Sequence, residues 1–107
     1  MRDRNSRIDE NKEVIIKDDG QSYSCLLADI SVNGISVITE NFIPTYKEIE
    51  VIMDIEGKKV AMKGSARWSI DPGTTIDRKG KLGILIMNPP SVFLAYVKTR
   101  EKKKSNS

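Results

Sequence analysis

Histidine is absent from the 107 residues. With it goes every Ser-His-Asp or Cys-His arrangement, because the usual general base is missing. Cysteine occurs once, as Cys25, so neither an intrachain disulfide nor a cysteine-rich zinc site can form. A lone thiol fits a reducing compartment. Aromatic residues are scarce: Tyr23, Phe42, Tyr46, Trp68, Phe93 and Tyr96 are scattered over separate segments. Proteins that bind single-stranded nucleic acid gather aromatic platforms beside basic residues, so no DNA or RNA partner is expected. Long apolar runs are missing as well. The longest, residues 82–87 and 92–97, fall far short of the roughly 20 residues that span a bilayer. Residues 1–12 are almost wholly polar and lack the apolar stretch of a signal peptide. The expected setting is cytoplasmic, with no transmembrane segment, no metal, no cofactor and no catalytic centre. Carboxylate pairs such as Asp18-Asp19 fall in an expected turn, where solvation accounts for them.

What remains is a small polar chain, 38% hydrophobic and 31% charged. It has room for one domain and one modest core, with a stability of roughly 5–8 kcal/mol. The net charge of +3 is unevenly placed. Lys98, Arg100, Lys102, Lys103 and Lys104 stand against Glu101, a local +4 that leaves −1 for residues 1–97. A basic end of this kind is read first as a solvated helix terminus, since cations suit the negative end of the helix dipole.

The pattern along the chain is that of strands. Residues 1–11 hold three arginines and, besides Met1, one sizeable apolar side chain, Ile8; this segment is expected to be a flexible arm. Strand-like runs follow at 12–17, 22–30, 35–39, 48–55, 59–70 and 81–87. The run at 48–55 alternates most regularly, with Ile49, Val51, Met53 and Ile55 on one face. Asp18-Asp19-Gly20 and Glu56-Gly57 supply turns. Asn33-Gly34 is read as a type I′ hairpin, because both residues tolerate positive φ. Residues 71–81 read as a polar loop. Pro89 and Pro90 end sheet pairing, and Asn88 is placed as the cap of a helix carrying Phe93, Tyr96 and Val97 at helical spacing. The expected segmentation is a 1–11 arm, a 12–88 barrel, an 89–102 helix and a 103–107 tail. The fold class is all-β with a C-terminal helix, a six-stranded antiparallel barrel, because closure removes exposed strand edges.

Three features carry chemistry. Asp29-Ile30-Ser31-Val32-Asn33-Gly34 is a D-x-S-x-x-G pattern at a hairpin corner, with Asp29 and Ser31 on one face. Asp29 can accept from the amine edge of a guanine, Ser31 can donate to an anionic oxygen, and Gly34 lets another backbone or a ligand approach. Arg2, Arg4 and Arg7 cluster in the arm, where guanidinium forks pair with phosphate and stack on purines. Trp68 is the sole tryptophan; in a strand it is more often a core anchor than a stacking platform.

Together these features resemble the PilZ domain, a bacterial receptor module for cyclic di-GMP. The resemblance rests on Arg7-Ile8 closing the arm, then Asp29, Ser31 and Gly34, then Ala66-Arg67-Trp68, Leu82-Gly83-Ile84 and a C-terminal helix, in the family's order. It implies a split barrel that binds cyclic di-GMP on its outside, clamped by the arm, and that signals to an unidentified downstream protein in the control of motility, biofilm or exopolysaccharide. The implied ligand-binding residues are Arg2, Arg4, Arg7, Asp29, Ser31, Gly34 and Trp68. One position departs from the pattern: the family arm reads R-x-x-x-R, and Asp3 stands four residues before Arg7. That departure opens a second reading, a degenerate PilZ domain that binds no nucleotide and acts through protein contacts.

Overall fold

A computed structural model describes the backbone of residues 12–105 and the side chains of residues 12–100. Six strands are present: β1 (Glu13–Asp18), β2 (Gln21–Ser31), β3 (Gly34–Thr39), β4 (Glu48–Ile55), β5 (Lys58–Ile70) and β6 (Gly80–Met87), followed by one helix, α1 (Ser91–Ser105). They close into an antiparallel barrel in the order β1-β2-β3-β6-β5-β4. The arrangement consists of two three-stranded meanders, β1-β2-β3 and β4-β5-β6, joined along the β3–β6 and β1–β4 seams.

Each meander turns on one long central strand. β2 pairs with β1 through its first half and with β3 through its second. β5 divides its length between β4 and β6 in the same way. Both carry a β-bulge in the second half, at Ala28 between Leu27 and Asp29 and at Arg67 between Ala66 and Trp68. Because side chains alternate with period two, one extra residue exchanges the inward and outward sets from there on.

The core follows the alternation. Val14 and Ile16 of β1, Val37 of β3, Val51 and Met53 of β4, Ala66 of β5 and Leu82 of β6 are sealed from solvent. Ile43, in the crossing from β3 to β4, is buried as well. α1 packs against β2 and β4 and buries Phe93, Tyr96 and Val97, an i, i+3, i+4 stripe. Burial raises the pKa of the Cys25 thiol, an effect Thr39 only partly offsets through a hydrogen bond. The thiol therefore stays protonated and behaves as a small core hydrophobe.

The turns correct part of the sequence reading. Positive φ occurs at Asp19-Gly20 and at Glu56-Gly57, so the two primed hairpins close β1–β2 and β4–β5. The β2–β3 hairpin instead turns through Val32-Asn33, with Gly34 already paired to Ser31 in the ladder and no positive φ among residues 32–34. A side-chain bond replaces the Asn-Gly chemistry there: Asn33 N donates to Ser31 Oγ at 3.2 Å, and the Ser31 hydroxyl donates to Gly34 O at 3.4 Å.

The helix also starts later than expected. Asn88 does not cap it; it takes a left-handed φ of 51, and Pro90 O accepts the first bonds, from Phe93 N and Leu94 N. α1 therefore spans Ser91–Ser105 rather than 89–102. The loop after β5 contains one 3₁₀ turn, Pro72–Thr74, whose cap is Asp71 accepting from Gly73 N.

A substitution separates conformational from steric demands on glycine. At Gly57, φ is +85 and an added Cβ would meet nothing within 4 Å. Gly57→Ala is therefore expected to cost about 1 kcal/mol, the left-handed penalty alone, read as a lowered midpoint in urea with unchanged slope.

A groove across the seam between β3 and β6

The two bulges decide what faces outward. Leu27 points into the core; past the bulge at Ala28, Asp29 and Ser31 are exposed. Ala66 points into the core; past the bulge at Arg67, Trp68 lies on the outer face, 46% exposed. Cross-strand pairing then sets Asp29 beside Ser36, Ser36 beside Gly83, and Gly83 beside Trp68. One straight row thus crosses β2, β3, β6 and β5 on the outside of the barrel. Its ends are a carboxylate and an indole, and its middle is a small hydroxyl and a glycine. Ser31, Gly34, Leu85 and Ser65 form the next outward row.

Between these rows lies a groove of about 310 Å³, lined among others by Asp29, Ser31, Gly34, Arg67, Trp68 and Gly83. Gly83 is required by the ring above it, because a Cβ there would overlap the Trp68 indole at Cε2 and Nε1. Gly34 is required by the opposite strand, because a Cβ there would overlap the Ile84 carbonyl oxygen. The third motif residue therefore serves close approach of two backbones, not φ freedom. Asp29 Oδ1 accepts from Ile30 N at 2.9 Å, and among the described residues the carboxylate has no ion pair. The residue is exposed, and its second carboxylate oxygen needs only a donor to complete a charge-assisted pair.

Asp29, Ser31, Gly34 and Trp68, separated by up to 39 positions in sequence, come together on this wall. Trp68 is no core anchor; the bulge puts it outside. Arg2, Arg4 and Arg7 lie outside the described residues. Ser36 and Arg67 also belong to the groove, and the sequence reading gave neither a role. Ser36 had no signal of its own, since its place follows from pairing with Asp29 and Gly83. Arg67 adjoins a motif residue, but its exit from the ladder depends on β6.

The PilZ domain family model matches residues 1–92. The chain belongs to the PilZ family. PilZ domains are non-catalytic receptor modules for cyclic di-GMP. No curated protein matches this chain. Among solved structures it is similar to the PlzA protein of Borreliella burgdorferi, whose crystal structure is in complex with c-di-GMP, with a TM-score of 0.55 and 20% identity. The match covers 87% of this chain and 36% of that one, so this PilZ chain spans about a third of its structural relative, and the likeness is one of fold. Among the described residues of this PilZ domain, no helix is long and apolar enough to cross a membrane.

Proposed function

We propose that this PilZ domain is a cyclic di-GMP sensor whose groove takes one guanine and an adjoining phosphate. The observation that supports it most is the outward row from Asp29 to Trp68. Its parts suit the ligand. Asp29 accepts from the guanine amine edge, the Ser31 hydroxyl turns from the long bond to Gly34 O towards a phosphate oxygen, and the Trp68 face offers a stacking surface. Arg2, Arg4 and Arg7 supply the positive charge that a dianionic ligand requires, because among the described residues the groove holds only Arg67 against Asp29. Binding orders the arm, and the ordered arm changes the surface offered to a downstream protein. A cytoplasmic location belongs to this reading.

The sole tryptophan sits at the site, so its fluorescence reports on the groove alone. Titration with cyclic di-GMP is expected to give a saturable change in Trp68 emission and matching heat in a calorimeter, and Arg7→Ala to shift both to higher concentration. No heat and no emission change at millimolar ligand would discard the sensor.

The second reading, a protein-interaction module without nucleotide, is favoured by Asp3. A carboxylate in the arm repels a phosphate by on the order of 1 kcal/mol when solvated. A partner captured equally with and without cyclic di-GMP would favour that reading.

A further inference from the structure

Among the described residues lining the groove, Arg67 is the sole cation and Asp29 the sole carboxylate. Arg67 is also the bulged residue of β5, left between the Ala66 and Trp68 pairings, and a bulge re-aims the side chain it carries. Its guanidinium carbon stands 5.1 Å from the centroid of the Tyr46 ring, within the range of cation–π attraction.

Tyr46 is itself held at some cost. Its φ is 63, a left-handed conformation that bulky side chains seldom adopt. The residue is also 73% exposed, so little burial compensates. Its backbone is locked onto the bulge: Tyr46 N donates to Ala66 O, and Ala66 N donates to Lys47 O at 3.0 Å. Ala66 immediately precedes Arg67. The loop that presents the ring is thus tied to the strand position that presents the guanidinium. An exposed aromatic kept in an unfavourable conformation marks a surface task for the ring.

We infer that Arg67 contacts a ligand phosphate and sets the groove's affinity, with Tyr46 as its positioning residue. The inference rests on the cyclic di-GMP reading and deepens it. Asp3 leaves the arm one arginine short of its family pattern, and Arg67 returns a cation from the rigid barrel. A guanidinium held over a ring has already lost much of its rotamer freedom, so less remains to be lost when the phosphate arrives. Tyr46 touches the arginine, and the arginine touches the ligand.

The test is calorimetric titration of the full chain with cyclic di-GMP, at low and at high salt. Wild type binds, and its affinity falls as salt rises. Arg67→Gln weakens binding about tenfold, as loss of one charge-assisted contact requires, and flattens the salt dependence. Tyr46→Gly weakens binding about threefold through freed rotamers, while Tyr46→Phe, which keeps the ring, binds as wild type does. In the Arg67→Gln background, Tyr46→Gly has no further effect, because a positioning residue acts only through what it positions. Tyr46→Gly also leaves the thermal midpoint unchanged or raised, since glycine accepts the positive φ. If wild type binds and Arg67→Gln binds equally well with the same salt response, the inference is overturned and the sensor reading stands. Additive losses from Arg67→Gln and Tyr46→Gly overturn the positioning role. If wild type binds nothing at millimolar ligand, the sensor reading falls and the inference with it.

Discussion

Gly34→Ala is expected to lower the unfolding free energy by about 3 kcal/mol, the upper end for overpacking a tight contact. The new methyl group would overlap the Ile84 carbonyl oxygen and crowd Leu85 Cα at 3.2 Å, both of them backbone atoms of the neighbouring strand. No side chain can swing aside, so β3 and β6 must separate. The damage would fall on the seam that joins the two meanders, where Gly34 pairs with Leu85 and Ile86 N donates to Asn33 O at 3.0 Å. For a domain of this size, 3 kcal/mol is a large share of the total. Urea denaturation of Gly34→Ala and Gly57→Ala side by side gives the cleanest measure. A loss at Gly34 no greater than that at Gly57 would mean that the seam relaxes freely around the added methyl group.

That glycine shows where reading the sequence succeeds and where it stops. Alternation located all six strands, and at β4 the expected 48–55 coincides with Glu48–Ile55. Strand periodicity is local, written into each run by the need to face one core. The turns at Asp19-Gly20 and Glu56-Gly57 were legible for the same reason, as their glycines meet a local demand for positive φ. Asn33-Gly34 offered the same local signal, but Gly34 answers a demand from Ile84, which is fifty residues away. Nothing between residues 29 and 36 announces that neighbour.

The bulges were illegible on the same grounds. Ala28 and Arg67 drop out of the β2–β3 and β5–β6 ladders, and such an irregularity belongs to the pairing of two strands, not to the pattern of one. A continuous alternation through β5 would set Trp68 on the inward face with Met62 and Ala66, which is why a core role suited it. The bulge at Arg67 overrides that pattern by inserting one residue. The same device works at both ends of the groove, so Asp29 and Trp68 face outward for one geometric reason. Motif resemblance named both residues without that reason; strand pairing supplies it. The reading of Ser31 needed similar adjustment, since its hydroxyl already holds the hairpin that the motif spans.

Asp29→Ala is expected to weaken cyclic di-GMP binding by about 2 kcal/mol, or about thirtyfold, while changing stability by less than about 0.5 kcal/mol. The two effects separate because of where the carboxylate sits. It is exposed on the outer row, and its one described hydrogen bond is to the next residue's own N–H, Ile30 N. Water replaces that bond readily when the side chain is lost. A guanine amine edge, by contrast, presents only donors, and without Asp29 it would be desolvated against a wall of glycine, serine and indole. Unpaired donors in such a site cost the full desolvation penalty. Asp29→Asn should recover little, because the amide nitrogen turns a donor towards donors and the negative charge is gone. Calorimetry on wild type, Asp29→Ala and Asp29→Asn, with urea midpoints for each, decides the matter. Tight binding by Asp29→Ala would place the guanine elsewhere. A fall in stability as large as the fall in affinity would make Asp29 a part of the barrel's architecture, with the ligand only sensing the damage.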